Sequence, residues 1–371
     1  MKKSLLLLSG VVLLVLAVPG FSAGRIEPIS AAPGFELTDF SGKKIVLSKL
    51  PAGGLPARIA QAGKSAFIIV NTLYLFEEAK EKVAGLSTPD QGRGLFVEKI
   101  DPFFGKKAVY GNNVGTEELL SLRPDVVVMK DFQAPALEKP LAAIGVPLLA
   151  LNLENPDSFY KEVLTLGRLF GNEERAQSIV AWYRNKMAGI EKAVASSGAA
   201  TLPRVLLLYY SVKDGITTFS VPPLTWIQTD MVRKGGGDPV WKGMKLENQW
   251  TKVGLEQIAA WDPEVVLLVS YREPAEVITE VMKKDAVWQS ISAVKNGMLY
   301  PFPGDFHSWD QPDPRWILGY IWVSEVLKNR GKPVTLEFME QPVREFYSFA
   351  YGMGTEAFNA VISPKLTGLS N

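Results

Sequence analysis

One stretch of this sequence occurs twice, and it constrains the fold more than any other feature. Residues 114–130 read VGTEELLSLRPDVVVMK, and residues 253–269 read VGLEQIAAWDPEVVLLV. In each copy a Glu opens a short amphipathic helix, a Pro ends it, and an apolar run typical of a buried strand follows. A unit repeated at domain-sized spacing predicts two similar lobes, each with one Glu at the same place.

The composition allows two such lobes and excludes several classes of partner. A chain of 371 residues is long enough for two lobes with separate cores. Its 47% apolar and 21% charged residues are typical of a globular protein. The 40 basic and 39 acidic residues nearly cancel, and no Lys/Arg run is long enough to bind a polyanion. We therefore expect no nucleic-acid partner.

The N-terminus has the order of a secretory signal peptide. Lys2 and Lys3 precede an apolar run from Leu5 to Val18, and small residues end the segment at Ala23. An uncleaved membrane anchor is the alternative, but about 14 apolar residues are short for a bilayer span. The chain has no cysteine, which excludes disulfides, thiol catalysis and the acylated Cys of a lipoprotein. We expect an exported, unlipidated protein of the periplasm.

The mature chain alternates strand and helix patterns, which predicts an α/β fold. We expect two α/β lobes with central mostly parallel sheets, joined by one long rigid α-helix. That helix has a continuous apolar stripe and no Pro, and at about 1.5 Å per residue it would span roughly 35 Å. The predicted segments are the signal peptide (1–23), a lead-in hairpin packing on the N-terminal lobe (24–56), the N-terminal lobe (57–172), the linking helix (173–197) and the C-terminal lobe (198–371).

Two local patterns complete this interpretation. Ser65 is predicted to cap a helix over residues 65–80. The preceding Gly63-Lys64 resembles a phosphate loop, but position 58 holds Arg where that motif needs Gly. Residues 217–224 are predicted to be a loop.

Together these features resemble the class III substrate-binding proteins of ABC importers, which serve iron–siderophore, haem, cobalamin and some oxyanion systems. The resemblance covers essentially the whole mature chain. Each motif alone is weak evidence for this family, and it is their order along the chain that supports the resemblance. They are TDFSGK at 38–43, Glu117 with LRPD at 122–125, Glu256 with DPE at 262–264, and SWDQPDPR at 308–315.

The resemblance implies that Glu117 and Glu256 dock onto arginine pockets of the permease, one on each transmembrane subunit. Two carboxylates held at a fixed separation suit a two-fold symmetric permease. The alternative is that each Glu only favours its own helix N-terminus, which is worth about 0.3–1 kcal/mol. That alternative explains the duplication less well. The expected partners are a transmembrane permease dimer with its ATPase, and the protein itself is expected to be a monomer.

The ligand is expected in a cleft between the lobes, in loops at the carboxyl ends of the strands. The candidate ligand-binding residues in these loops are Lys64, Ser65, Arg93, Trp226, Tyr271, Arg272, His307 and Trp309. Aromatic and cationic side chains suit an anionic metal chelate or a planar macrocycle. We expect a siderophore-like iron complex as cargo, with cobalamin, haem, and molybdate or tungstate as alternatives, and no resident cofactor.

His307 is the only histidine, so a metal site with several His ligands is excluded. Contact with a bound metal and a hydrogen bond within its own loop both remain open for this residue. Trp316 and Trp322 are assigned to the core of an apolar helix, whereas Trp309 could line the site or pack in the core.

Two other classes of function stay open at this stage. An enzyme is disfavoured because the sequence has no nucleophile elbow, His pair or Cys. A secreted carboxylate-based hydrolase is the remaining enzymatic alternative. A two-lobed adaptor without a small ligand is the third class.

Overall fold

A computed structural model describes residues 35–48, 50, 54–196, 201–330 and 332–370. The expected signal peptide and the start of the lead-in segment lie outside these residues. No helix within the described ranges is long and apolar enough to cross a membrane.

A five-stranded parallel sheet organises the first lobe, with spatial order β5-β4-β3-β6-β7. Its strands are β3 (Ile59–Gln61), β4 (Val83–Ser87), β5 (Ala108–Tyr110), β6 (Val126–Lys130) and β7 (Leu148–Leu151). Its helices are α1 (Ala66–Leu73), α2 (Ala79–Lys82), α3 (Thr116–Ser121), α4 (Ala134–Ala143) and α5 (Pro156–Phe170). The apolar β6 is buried along its whole length, as expected for a central strand of a covered parallel sheet. Because the strand order reverses between β3 and β6, their carboxyl ends open a crevice.

A small hairpin precedes this sheet. Its strands β1 (Phe35–Thr38) and β2 (Lys44–Leu47) pair antiparallel. Arg168 ties the hairpin to α5, because its guanidinium donates a hydrogen bond to the carbonyl of Glu36 at 3.0 Å. The hairpin therefore lies against the first lobe.

Helix α6 (Glu173–Ser196) follows as one continuous helix of 24 residues, where the sequence predicted the linking helix (173–197). Its buried positions recur at helical spacing and include Ile179, Tyr183, Met187 and Ile190. This stripe packs against α5 of the first lobe and against α11 (Trp316–Lys328) of the second lobe.

The second lobe contains a six-stranded mixed sheet with spatial order β11-β9-β8-β12-β13, and β10 pairs with the start of β8. Its strands are β8 (Arg204–Lys213), β9 (Ile216–Val221), β10 (Asp238–Pro239), β11 (Thr251–Val253), β12 (Val265–Val269) and β13 (Leu299–Pro301). Its helices are α7 (Ile227–Lys234), α8 (Leu255–Trp261), α9 (Ala275–Met282), α10 (Ser292–Lys295), α11 (Trp316–Lys328), α12 (Leu336–Tyr351) and α13 (Thr355–Val361). Strands β9 and β11 run antiparallel to their neighbours, so this sheet is less uniformly parallel than the first.

Two local predictions were wrong. The region 217–224 is mostly strand β9, because Asp214 and Gly215 adopt left-handed conformations and close a tight hairpin with β8. The helix expected over 65–80 is divided into α1 and α2. Ser65 is itself left-handed (φ 53°), and its side chain makes no capping hydrogen bond.

Contacts between sequence-distant segments join the two lobes. The backbone N–H of Ile227 donates to the carbonyl of Glu154 at 3.0 Å. The Tyr351 hydroxyl, at the end of α12, donates to the carbonyl of Asn71 in α1 at 3.2 Å. The C-terminal helices thus touch the first lobe, and the domain boundaries given above stay a prediction.

Candidate functional site

The first-lobe wall of the predicted cleft is the loop that follows β3. Its backbone N–H groups already have partners in the protein. Gly63 N–H donates to the Ser87 hydroxyl at 3.1 Å, and Ser65 N–H donates to the Asp90 carboxylate at 3.2 Å. Lys64 N–H donates to the side-chain carbonyl of Gln133, and the Lys64 side chain is exposed. An anion could bind these N–H groups only by displacing these side chains.

The second-lobe wall carries a cluster of half-buried aromatic rings, which we call the aromatic floor: Tyr209, Trp226, Trp250 and Tyr271. Tyr209 lies 4.7 Å from Tyr271 and 4.8 Å from Trp250, between ring centroids, and Trp226 meets Trp250 edge-on at 5.8 Å. Tyr209 belongs to β8 and Tyr271 follows β12. The parallel pairing of β8 with β12 ends at Tyr209, so these two rings lie at the edge of the parallel strands where open α/β sheets bind ligands.

An open pocket of about 480 Å³ adjoins the aromatic floor, a volume within the range of small-molecule sites. Its lining belongs entirely to the second lobe and comprises residues 209–214 and 270–273. The lining includes the exposed cations Lys213 and Arg272, opposed by the exposed acids Asp214 and Glu273. The pocket thus combines apolar ring surface with charges of both signs.

The loop of residues 304–315 lies buried between the lobes and holds a charged network. The Arg315 guanidinium is fully buried and bonds to the carboxylates of Asp305 and Asp313, each at 2.7 Å. The Asn71 amide of the first lobe donates to Asp313 at 2.5 Å, and the Tyr347 hydroxyl of α12 donates to Asp305 at 2.7 Å. The network connects α1, the buried loop and α12 in one set of hydrogen bonds.

Asp310 belongs to the same loop and links it to the aromatic floor. It accepts hydrogen bonds from Ser308 at 2.6 Å and from the Tyr271 hydroxyl at 2.7 Å. Burial raises the pKa of Asp310 to about 6, although hydrogen bonds from Ser308, Tyr271 and Gln228 act in the opposite direction. The hydrogen bond from its hydroxyl to Asp310 therefore fixes the orientation of the Tyr271 ring.

His307 inserts into the first lobe from this loop. Its ring is 2% exposed and stacks on Phe67 at 4.1 Å between centroids. Neither ring nitrogen has a hydrogen-bond partner among the described residues. Burial first, and then the guanidinium groups of Arg315 and Arg93, hold the pKa of His307 well below its usual value. The imidazole is therefore neutral at neutral pH, and the loop hydrogen bond that was one of its two expected roles is not formed.

Arg93 of the first lobe reaches across to the second lobe and contacts its C-terminal segment. Its guanidinium donates to the carbonyl of Lys365 at 2.7 Å and to the Thr367 hydroxyl at 2.8 Å. Its backbone N–H donates to the carbonyl of Phe306 at 2.8 Å. The side chain thus fastens the C-terminal tail to the first lobe, although Arg93 also lines a second, smaller pocket of about 70 Å³ together with His307.

Trp309 was a candidate ligand-binding residue, and the structure places it in the core. It is fully buried, and its indole N–H donates to Asp305 at 2.9 Å. Trp316 and Trp322 are also buried, as predicted for the apolar helix α11. Of the eight candidates, Tyr271 and Arg272 line the open pocket, and Trp226 packs on Trp250, which in turn meets Tyr271.

Sequence reasoning missed two members of the aromatic floor. Tyr209 lies inside an apolar run that is typical of a buried strand, but its ring is only half-buried, at the residue where the parallel pairing of β8 with β12 ends. Trp250 lies just before β11, which β9 and β8 separate from β12 in the sheet, so the sequence spacing did not indicate that it meets Tyr271.

The two repeat glutamates occupy the same local geometry. Glu117 and Glu256 are each the second residue of a short helix, α3 and α8. The preceding Gly115 and Gly254 have nearly identical extended conformations, with φ of −83° and −86°. Both carboxylates are exposed, and within the described chain neither has a hydrogen-bond or ion-pair partner. They are free to meet another molecule.

Replacing Gly92 by alanine tests the insertion of His307. Gly92 has φ +90°, and a Cβ there would lie 2.3 Å from His307 Nδ1. We expect Gly92→Ala to displace the ring and to lower the free energy of unfolding by about 2–4 kcal/mol, from overpacking and left-handed strain together. Gly42→Ala is the matched control, because Gly42 has φ +87° with nothing within 4 Å of the added atom. Urea denaturation that gives equal losses for the two variants would contradict the insertion.

Comparison with known proteins agrees with this architecture. The periplasmic binding protein family matches residues 88–305, more than half of the chain. The molybdate-binding protein MolA of Haemophilus influenzae is 24% identical over 331 residues, which cover 82% of this chain and 90% of MolA. A cobalamin-binding protein of Halobacterium salinarum is 26% identical over 157 residues, 42% of this chain and 40% of that protein.

Solved structures share the fold. An ABC transporter solute binding protein from Sulfurospirillum deleyianum matches with a TM-score of 0.66 and 21% identity, covering 88% of this chain and 98% of that one. Molybdate-bound MolA matches with a TM-score of 0.65 and 16% identity, covering 86% and 98%. The match to the family model identifies the family of this chain, and the solved structures share its two-lobed fold. The chain belongs to the periplasmic binding protein family, as the solute-binding component of an ABC transporter and not an enzyme.

Proposed function

We propose that this protein captures an anionic metal chelate, of the iron–siderophore type, against the aromatic floor and delivers it to the permease of an ABC transporter. The observation that carries the proposal is the floor itself. Tyr209 and Tyr271 line the adjoining pocket of about 480 Å³, and Trp250 and Trp226 pack beside them as further apolar ring surface. Arg272 and Lys213 at its rim supply charge for an anionic complex.

Molybdate is the second candidate, because MolA is a relative over most of the chain. A small oxyanion needs a tight pocket in which several N–H or O–H donors converge. The N–H groups of Gly63, Lys64 and Ser65 are engaged by protein side chains. The open pocket also carries Asp214 and Glu273, whose charges oppose a bare oxyanion. We therefore propose the metal chelate as the ligand in preference to molybdate.

Tryptophan fluorescence titration distinguishes the two ligands. The probes are a ferric tris-catecholate complex, a ferric tris-hydroxamate complex, cyanocobalamin and sodium molybdate. We expect a ferric chelate to quench the fluorescence and bind most tightly. Trp250→Ala should weaken that binding about tenfold, which corresponds to about 1.4 kcal/mol.

Trp182→Ala is the matched control for this experiment. Trp182 is likewise half-buried and stacks on another ring, Phe349, at 4.7 Å, but it lies on α6, away from the floor. Its loss should leave chelate affinity unchanged. Tight binding of molybdate without binding of either ferric chelate would replace the proposal by the second candidate.

A further inference from the structure

An arginine fastens the C-terminal end of each repeat helix. Arg58, just before β3, donates from Nε to the carbonyl of Leu122 at 2.7 Å, directly after α3. Arg204, at the start of β8, donates from Nη2 to the carbonyl of Trp261, the last residue of α8. The two arginines therefore make the same contact in the two lobes. A cation at this position also complements the helix dipole.

The acidic residue after each repeat Pro completes the connection. The Asp125 carboxylate accepts hydrogen bonds from the backbone N–H of Ala57 at 2.8 Å and of Arg58 at 2.9 Å. The Glu264 carboxylate accepts from the backbone N–H of Arg204 at 2.8 Å. The backbone N–H groups of Asp125 and Glu264 in turn donate to the carbonyls of Arg58 and Arg204, both at 2.8 Å. Each connection thus includes one backbone hydrogen bond, with three side-chain hydrogen bonds in the first lobe and two in the second.

The helices depend on these connections for their direction. Helices α3 and α8 have six and seven residues, and helices this short are not stable alone in water. Each ends at a left-handed residue, Arg123 (φ 49°) or Asp262 (φ 39°), where the chain turns sharply. A tilt of about 20° about that end, over about 7 Å of helix, would move the first turn by about 2–3 Å.

We propose that Arg58 and Arg204 are positioning residues that set the directions of α3 and α8, and with them the separation of Glu117 and Glu256. The inference rests on the docking role that the sequence resemblance implies for these glutamates. A permease with two fixed arginine pockets would sense an error in that separation, because charge pairs across an interface weaken when their geometry is lost. The arginines themselves need not touch the permease.

The second lobe has additional support. Asp262 accepts hydrogen bonds from the backbone N–H of Ser292 at 2.8 Å and from its hydroxyl at 2.9 Å. Arg330 also approaches Glu264 at 3.7 Å. The first-lobe helix has no such further contact at Arg123 among the described residues. Arg58→Ala should therefore disturb its helix more than Arg204→Ala does.

The cysteine-free chain permits a direct measurement of this separation. Spin labels at Glu117→Cys and Glu256→Cys report the distribution of distances between the two helices by pulsed electron resonance. We expect Arg58→Ala to broaden this distribution clearly, Arg204→Ala to broaden it less, and Arg58→Lys to restore part of the width. An unchanged distribution in Arg58→Ala would overturn the inference.

Arg168→Ala is the matched control for a loss of stability alone. Arg168 is exposed and also donates to a backbone carbonyl, that of Glu36 at 3.0 Å, but it fastens the β1–β2 hairpin. Its substitution should leave the label distances unchanged. Equal broadening in Arg168→Ala and Arg58→Ala would show a general loosening and contradict the specific role.

Permease binding of the unlabelled variants separates this inference from the docking role. Arg58→Ala should bind the reconstituted permease about tenfold more weakly, with ferric chelate affinity unchanged. If Arg58→Ala broadens the label distances but neither it nor the loss of both glutamates weakens permease binding, the positioning holds and the docking role is wrong. If loss of the glutamates weakens binding while Arg58→Ala changes neither readout, the positioning is wrong and docking stands.

Discussion

Replacing both Glu117 and Glu256 by alanine should weaken binding to the permease by on the order of 100-fold or more, while ligand affinity stays unchanged. Truncating a hydrogen-bonded charge at an interface costs about 2–5 kcal/mol, and two such charges are lost together. The fold should lose little, because both carboxylates are exposed and each contributes only about 0.3–1 kcal/mol to its own helix. The measurement is binding to the permease reconstituted in nanodiscs, with ferric chelate titration in parallel.

Glu118→Ala is the control for this double variant. Glu118 is the neighbour of Glu117, equally exposed and in the same helical turn. Its loss changes the net charge of α3 without touching the repeated position. The single variants Glu117→Ala and Glu256→Ala should each give part of the effect. Transport and permease binding that survive the double substitution would remove the docking role.

Replacing Arg315 by leucine should lower the free energy of unfolding by about 3–5 kcal/mol. The guanidinium is fully buried and bonds to Asp305 and Asp313 at 2.7 Å each. Its removal leaves two buried carboxylates without a compensating charge, which costs more than the loss of the contacts themselves. Because stabilities are commonly about 5–15 kcal/mol, this single change would consume much of the total. Urea denaturation measures the loss.

Two further variants test the cause of that loss. Arg344→Leu removes an arginine whose ion pair with Glu340 is partly exposed, and a pair of this kind is worth only about 0–1 kcal/mol. Adding Asp305→Asn and Asp313→Asn to Arg315→Leu should recover part of the stability, because no buried charge then lacks a partner. A small effect of Arg315→Leu, similar to that of Arg344→Leu, would contradict the electrostatic account.

The repeat predicted correctly those features that depend on residues close together in the sequence. Each copy contains its own helix start, its stopping Pro and its apolar strand, so the positions of Glu117 and Glu256 followed from the spacing. The long helix α6 was equally readable, since its stripe and the absence of Pro lie within one segment. The structure confirms these elements because tertiary contacts do not compete with the local pattern.

The burial of the loop of residues 304–315 could not be predicted from the sequence, for a physical reason. Three aspartates, a histidine and prolines in one segment are typical of an exposed loop. Here Arg315 neutralises Asp305 and Asp313, and further hydrogen bonds come from Asn71 and Tyr347, which are far away in sequence. No local sequence pattern indicates hydrogen-bond partners that lie so far away in the sequence. The same cause removed Trp309 from the ligand-binding candidates.

The β8–β9 hairpin was misread although its signal was present. The Asp214-Gly215 pair is a common two-residue turn, and the segment from Ile216 to Val221 is rich in β-branched and aromatic residues. The hairpin extends β8 beyond β12 and carries residues 210–213 into the lining of the open pocket. The missed turn therefore concealed part of the candidate site.

The contacts of α12 with the first lobe have a consequence for the order of folding. Arg175, near the start of α6, donates to the carbonyls of Phe349 and Ala350, and Tyr351 reaches Asn71 in α1. The first lobe therefore cannot complete its packing until nearly the whole polypeptide is present. Contacts of such long range slow folding. For a protein that works in the periplasm, we expect this delay to keep the growing chain loosely folded, and so competent to be threaded across the inner membrane, until its last helices have been made.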